Sequence, residues 1–132
     1  MHIATEMSEE LSRYLDLSAM QQKLTAQNMA NVDTPGYRTV GFDFATEVER
    51  SMEEISARRK RETATGVAVD SPALHVSAEK VDGLLERPDG NNVSMDCEGL
   101  KMAEAQLKFR AGIELIKNEF SGILDAIHAD SK

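Results

Sequence analysis

Aromatic residues are scarce in this chain: no tryptophan, two tyrosines and four phenylalanines among 132 residues. Its 41% hydrophobic content rests heavily on Ala, Val and Met, which bury little area each. That composition supports one modest domain with a thin core. Cysteine occurs once, at Cys97, which excludes an intramolecular disulfide. No apolar run approaches the roughly 20 residues that a membrane span needs. The opening stretch, MHIATEMSEELSRYL, has three glutamates in its first ten residues and no apolar segment, so it does not read as a secretory signal. On these rules alone the protein is cytoplasmic. Positive charge is also in deficit, and the formal net charge of −8 argues against non-specific binding to nucleic acid or an anionic membrane.

A catalytic constellation is missing too. Cys97 lies between Asp96 and Glu98, carboxylates that disfavour a thiolate. His75 falls in an expected loop, and His2 and His128 sit near the chain ends. The histidines and the cysteine show no metal-ligand spacing, and no glycine-rich phosphate loop is present. Glu47, Glu49, Glu53 and Glu54 read as a solvated helix face. The run Arg58-Arg59-Lys60-Arg61 has no interleaved aromatics and reads as a solvated helix end. The expectation is a non-enzymatic protein with no cofactor and no metal.

What the chain does contain is helical periodicity. Ile3, Met7, Tyr14, Leu17 and Leu24 follow alternating four- and three-residue steps, which predict a helix over about 3–31. The same steps extended reach Asn28 and Asn31, so the track ends polar. Pro35 stops the helix by pushing Thr34 out of the helical region. Thr34-Pro35-Gly36-Tyr37 then reads as a type II turn, with glycine at the position of positive φ. Asn31 is suited to a left-handed helix end. Phe44, Val48, Met52 and Ile55 repeat at helical spacing and predict a second helix over about 44–58. Residues 62–92 read as a flexible loop with short extended pieces, Val67 and Val69 alternating as a strand would, and Pro88-Asp89-Gly90-Asn91-Asn92 forming a turn. A last helix is expected over about 93–127. In it Phe109, Ile113, Ile116, Phe120, Ile123 and Ile127 form a heptad stripe.

Such a helix is roughly 50 Å long at 1.5 Å per residue and needs another long helix beside it. The expected fold is therefore mainly α. The N-terminal segment 1–34 and the C-terminal segment 93–132 pair like a coiled coil, with a middle segment 35–92 looped out between them.

The stretch Asn28-Met-Ala30-Asn31-Val-Asp-Thr34-Pro35-Gly36-Tyr37 resembles the N-terminal signature N-x-A-N-x-x-T-x-G-[FY] of the axial proteins of the bacterial flagellum, the rod and hook family. Every signature position is matched. The segment DGNNVSMDCEGLKMAEAQLKFRAGIELI and the short length are similar to the proximal rod members, although Gly99 early in the last helix departs from a good helix start. The resemblance covers about residues 1–44 and 88–130. It implies a structural subunit of the proximal rod, exported by the flagellar type III gate without a cleaved signal peptide and folding in the periplasm. It further implies packing against copies of itself and against FliE-like, FlgC-like and inner-membrane-ring FliF-like neighbours. The apolar residues expected at such contacts are Leu17, Leu24 and the 109–127 stripe. Phe44 and Val48 resemble the short F-x-x-x-(apolar) pattern read at the export gate, and they also share one face of the second helix. An acidic helical export chaperone or coiled-coil adaptor in the cytoplasm fits the composition as well, but has no use for the turn signature.

Overall fold

The computed structural model describes residues 5–129. Helix α1 spans Glu6–Ala30, strand β1 Val40–Gly41, helix α2 Phe44–Thr65, strand β2 Glu79–Lys80 and helix α3 Met95–Ala129. The mainly helical fold with long paired terminal helices is as expected. Ile3 lies outside the described residues.

Thr5 caps α1 by accepting the Ser8 N–H, and Glu6 and Glu9 occupy the first turn, where negative charge complements the helix dipole. At the other end Asn31 does not turn left-handed. Its φ is −102°, and its N–H is shared between Gln27 O and Asn28 O. Its side-chain amide also bonds back to Gln27 O at 2.8 Å, which holds it to the end of the helix. The left-handed residue of this turn is Gly36, at φ +72°.

Helix α2 runs two turns beyond the expected end near 58. Arg58 and Arg59 both pair with Glu9 of α1, and Arg58 reaches Glu62 at 2.9 Å. Nothing breaks the helix until Gly66, whose φ of +67° lets its N–H close on Glu62 O. Half of the basic run is therefore a tie between α1 and α2, and only Lys60 and Arg61 are exposed. At its start Asp43 caps α2 through Thr46 N, which holds its carboxyl below the usual carboxylate range.

Helix α1 is the shared partner. Helix α3 runs antiparallel to it: Thr5 bonds Glu119, Tyr14 and Leu15 lie over Gly112, Gln22 donates to Ala105 O and Asn28 meets Glu98. Helix α2 packs on α1 but makes no close backbone approach to α3. Among the described residues the buried apolar ones are Leu17, Ile55, Val93 and Ala105, the thin core that the composition implied.

Only part of the expected stripe faces α1. The buried residues of α3 are Glu98, Ala105 and Gly112, spaced by seven. Phe109, Ile113, Ile116 and Ile123 are half-buried, but Phe120 and Ile127 remain 48% and 53% exposed. The reason is steric. The helices approach where side chains are smallest, and a Cβ at Gly112 would stand 2.8 Å from Leu15 Cδ2 and 3.2 Å from Tyr14 Cδ1. Phe120 and Ile127 also lie past Glu119, the residue that Thr5 reaches. On α1, Leu17 is buried, Leu24 half-buried and Met7 exposed.

The middle segment is stitched back to the helices. Its strand is Glu79–Lys80, antiparallel to Val40–Gly41, and not the Val67–Val69 pair, which stays exposed. Arg13 bonds Ser71 Oγ and Pro72 O, Arg50 bonds His75 O and Arg58 bonds Val69 O. These arginines anchor carbonyls that no ladder satisfies.

Two helical glycines of α3 should respond oppositely to substitution. Gly112→Val overfills the α1–α3 contact and should lower stability in urea by about 1–3 kcal/mol. Gly99 has open space around it, so Gly99→Ala should raise stability by roughly 1 kcal/mol through helix propensity. Equal effects at the two positions would contradict the close approach.

Candidate functional site: an asparagine-clamped turn

The residues of the turn signature converge on Asn28. Its side chain is 1% exposed and fully used. The amide nitrogen donates to Val40 O at 2.8 Å and to Glu98 Oε2 at 2.9 Å. The amide oxygen accepts from Val40 N at 3.0 Å and from the Tyr37 hydroxyl at 3.1 Å. Two donors and two acceptor sites are the whole capacity of an asparagine. Towards Val40 the amide imitates a neighbouring strand, giving β1 a second partner opposite β2.

Between Asn28 and Val40 the chain reverses. Thr34 Oγ1 bonds Asn31 Oδ1 at 3.1 Å, and Tyr37 N closes on Thr34 O at 3.2 Å. With Gly36 at φ +72° this is the expected type II turn. Ala30, Thr34, Pro35 and Gly36 are exposed, whereas Tyr37 is half-buried. The Tyr37 phenol is pushed up by burial and by the nearby Glu98 charge, so it stays a neutral donor to Asn28.

The turn is gripped from outside by residues 89–92. Asn91, 0% exposed, donates its amide to three carbonyls, those of Asn31 at 3.0 Å, Val32 at 3.1 Å and Thr34 at 2.8 Å. Gly36 N bonds Asp89 O at 2.8 Å, and Asn92 N bonds Tyr37 O. The Asn92 side chain accepts Thr39 N at 2.7 Å. A Cβ at Gly90, itself at φ +82°, would touch Gly36 Cα at 3.4 Å, so two glycines meet where the turns abut. The signature and the Asp-Gly-Asn-Asn turn are two halves of one clamp.

Glu98 closes the clamp onto α3. The carboxylate is 1% exposed and is held by Asn28 and by Lys101 Nζ at 2.9 Å. Sequence reasoning singled out neither Asn91 nor Glu98 as a site residue. The paired asparagines 91 and 92 after Asp-Gly were a usable signal, since Asn side chains bond turn backbones. Glu98 carried none, because its burial depends on where α1 ends.

Phe44 lies beside the clamp, edge-on to Tyr14 at 5.3 Å between ring centroids and stacked on Phe42 at 6.4 Å. The Lys108 ammonium sits 4.1 Å from its ring centroid. Val48, one turn on, is half-buried. In the folded protein both residues pack.

Among the described residues the cysteine and the histidines stand apart from one another. Cys97 is exposed, His75 lies on the anchored loop and His128 at the far end of α3. Among the described residues no three His, Cys, Asp or Glu side chains gather as metal ligands. The arrangement positions backbone.

The chain is 36% identical to the flagellar basal body rod protein FlgB of Salmonella typhimurium, over 86% of each chain. It belongs to the FlgB family. The FlgB of Yersinia enterocolitica is 30% identical over 86% of this chain and 87% of its own. The FlgB of Escherichia coli K12 is 28% identical over 87% of this chain and 88% of its own. No family model matches the chain. Membership of the FlgB family places the chain in the flagellar basal body, which corrects the cytoplasmic reading that composition alone suggested.

The clamp can be weighed residue by residue. Asn28→Ala orphans Val40 N–H, Val40 O and one side of Glu98. At about 1–3 kcal/mol per unsatisfied buried group, it should cost most of the domain's stability in urea. Gly36→Val meets nothing within 4 Å, so only backbone strain applies, about 1–2 kcal/mol. A larger loss at Gly36 than at Asn28 would show that the turn, not the asparagine, holds the site.

Proposed function

We propose that this FlgB-family subunit builds the proximal part of the rod, linking the inner-membrane ring to the distal rod and hook. The observation that carries this reading is the apolar surface α3 leaves open. Leu100, Leu107, Leu115, Phe120, Leu124 and Ile127 are each 48% to 69% exposed, although the described residues bury only a thin apolar core. Apolar surface of this extent along one helix calls for neighbours. In this reading they are other copies of the subunit and FliE-like and FlgC-like axial proteins, with a FliF-like ring protein at the base. None of the described helices is long and apolar enough to cross a membrane, so the ring would be met through side chains. The subunit leaves the cytoplasm unfolded through the flagellar type III gate, without a cleaved signal peptide, and folds in the periplasm. The clamp then fixes the direction in which the middle segment leaves the helix pair.

The stripe residues separate folding from assembly. Ile116 is half-buried among residues facing α1, so Ile116→Asp should lose several kcal/mol of stability. Phe120 is exposed, so Phe120→Asp should leave the folded subunit intact and exported while rod assembly and motility fail. Normal swimming of Phe120→Asp would remove that part of the stripe from the assembly surface.

Export is tested at Phe44 and Val48. If the pair is read at the gate while the chain is unfolded, Phe44→Ala with Val48→Ala traps the subunit in the cytoplasm. Accumulation of the double variant in the periplasm at the normal level would leave the pair only its packing role.

A further inference from the structure

The outer side of α3 carries a pattern that the single subunit does not use. Leu107 is two residues from the buried Ala105 and so points away from α1; it is 69% exposed. Around it the sequence reads Leu100-x-x-Ala103-Glu104-x-x-Leu107-x-x-Arg110-Ala111-x-x-x-Leu115. Alanines stand four residues either side of Leu107, and leucines seven before and eight after. Opposite charges stand three residues either side. All seven residues are exposed. The pattern is a palindrome in shape and an inversion in charge.

Such a pattern is self-complementary in one orientation. Glu104 and Arg110 flank Leu107, about 60° to either side of it by helix geometry. A two-fold axis that passes between two copies at Leu107 reverses the direction of one helix against the other. Glu104 of each copy then stands level with Arg110 of the other, across the leucine seam. Ala103 comes opposite Ala111 at nearly the same level, and these small residues leave room for the two long charged side chains to meet. Leu100 reaches the Glu114–Leu115 turn. A parallel pairing in register instead sets Glu104 level with Glu104 and Arg110 level with Arg110, which repels. The exposed face of α1 offers a poorer match, since Ser12, Asp16, Ala19, Lys23 and Ala26 include no large apolar side chain to bury.

We propose that the outer face of α3 pairs with the same face of a second copy, antiparallel, about a two-fold axis at Leu107. A contact of this length lies at the small end of specific interfaces and gives a reversible dimer. It is isologous and closed, so it cannot itself propagate a filament. In the rod reading it would withhold this face until the pair opens, but the pairing is measured on the purified protein and stands apart from that reading.

In a Cys97→Ser background, Leu107→Cys should form a disulfide-linked dimer under mild oxidation, because the residue meets its own copy at the axis. Leu124→Cys, also exposed but about 100° round the helix from Leu107, should not. Equal crosslinking at the two positions overturns the proposal. Sedimentation equilibrium gives the second arm, with circular dichroism to show that each variant keeps its helix content. Glu104→Arg and Arg110→Glu should each weaken association about tenfold, and the double variant should recover the native affinity. A double variant as weak as the single ones overturns the antiparallel register, and a native protein that stays monomeric at millimolar concentration overturns the pairing altogether.

Discussion

One buried amide holds the architecture together. Asn28 satisfies β1 on its strand edge, receives the Tyr37 hydroxyl and donates to Glu98 on α3, so three parts of the chain meet on a single side chain. With four buried apolar side chains among the described residues, the fold cannot rely on area alone. The buried polar group serves because every one of its bonds is made; a half-satisfied asparagine there would cost more than it contributes. The same logic recurs at Asn91, whose two amide hydrogens serve three carbonyls of the turn.

From that clamp the rest follows in order. The end of α1 sets where the chain turns, the turn sets where β1 lies, and β1 with Asp43 sets where α2 begins. Because α2 then runs back along α1, the ion pairs of Glu9 with Arg58 and Arg59 become possible. They lengthen α2 past the point where its apolar repeat ends. Helix α3 docks on the other side through its smallest residues, which leaves its larger ones to face outward.

This division of labour suits a subunit of the flagellar basal body. Polar clamps give one well-defined shape with little buried area, and the leucines and phenylalanine that would thicken the core of an independent protein stay on the surface, where a neighbour can cover them.

Local chemistry was legible in the chain from the start. Proline and glycine at 35 and 36 specified the type II turn because one fixes φ and the other accepts a positive value. Helical repeats located all three helices, and the signature pointed to the family because it specifies six positions within ten residues. Which face of α3 meets α1 was not legible. Periodicity sees large apolar residues, whereas helix packing here selected Ala105 and Gly112, whose smallness carries no hydrophobic signal. The extent of α2 was hidden for a similar reason, since Glu9 and the arginines that hold its last turns are about fifty residues apart. The burial of Glu98 was decided by the tertiary structure alone. A carboxylate at that position in a helix is ordinarily solvated, and it becomes buried only because the fold brings Asn28 to it, beside Lys101 one turn along its own helix.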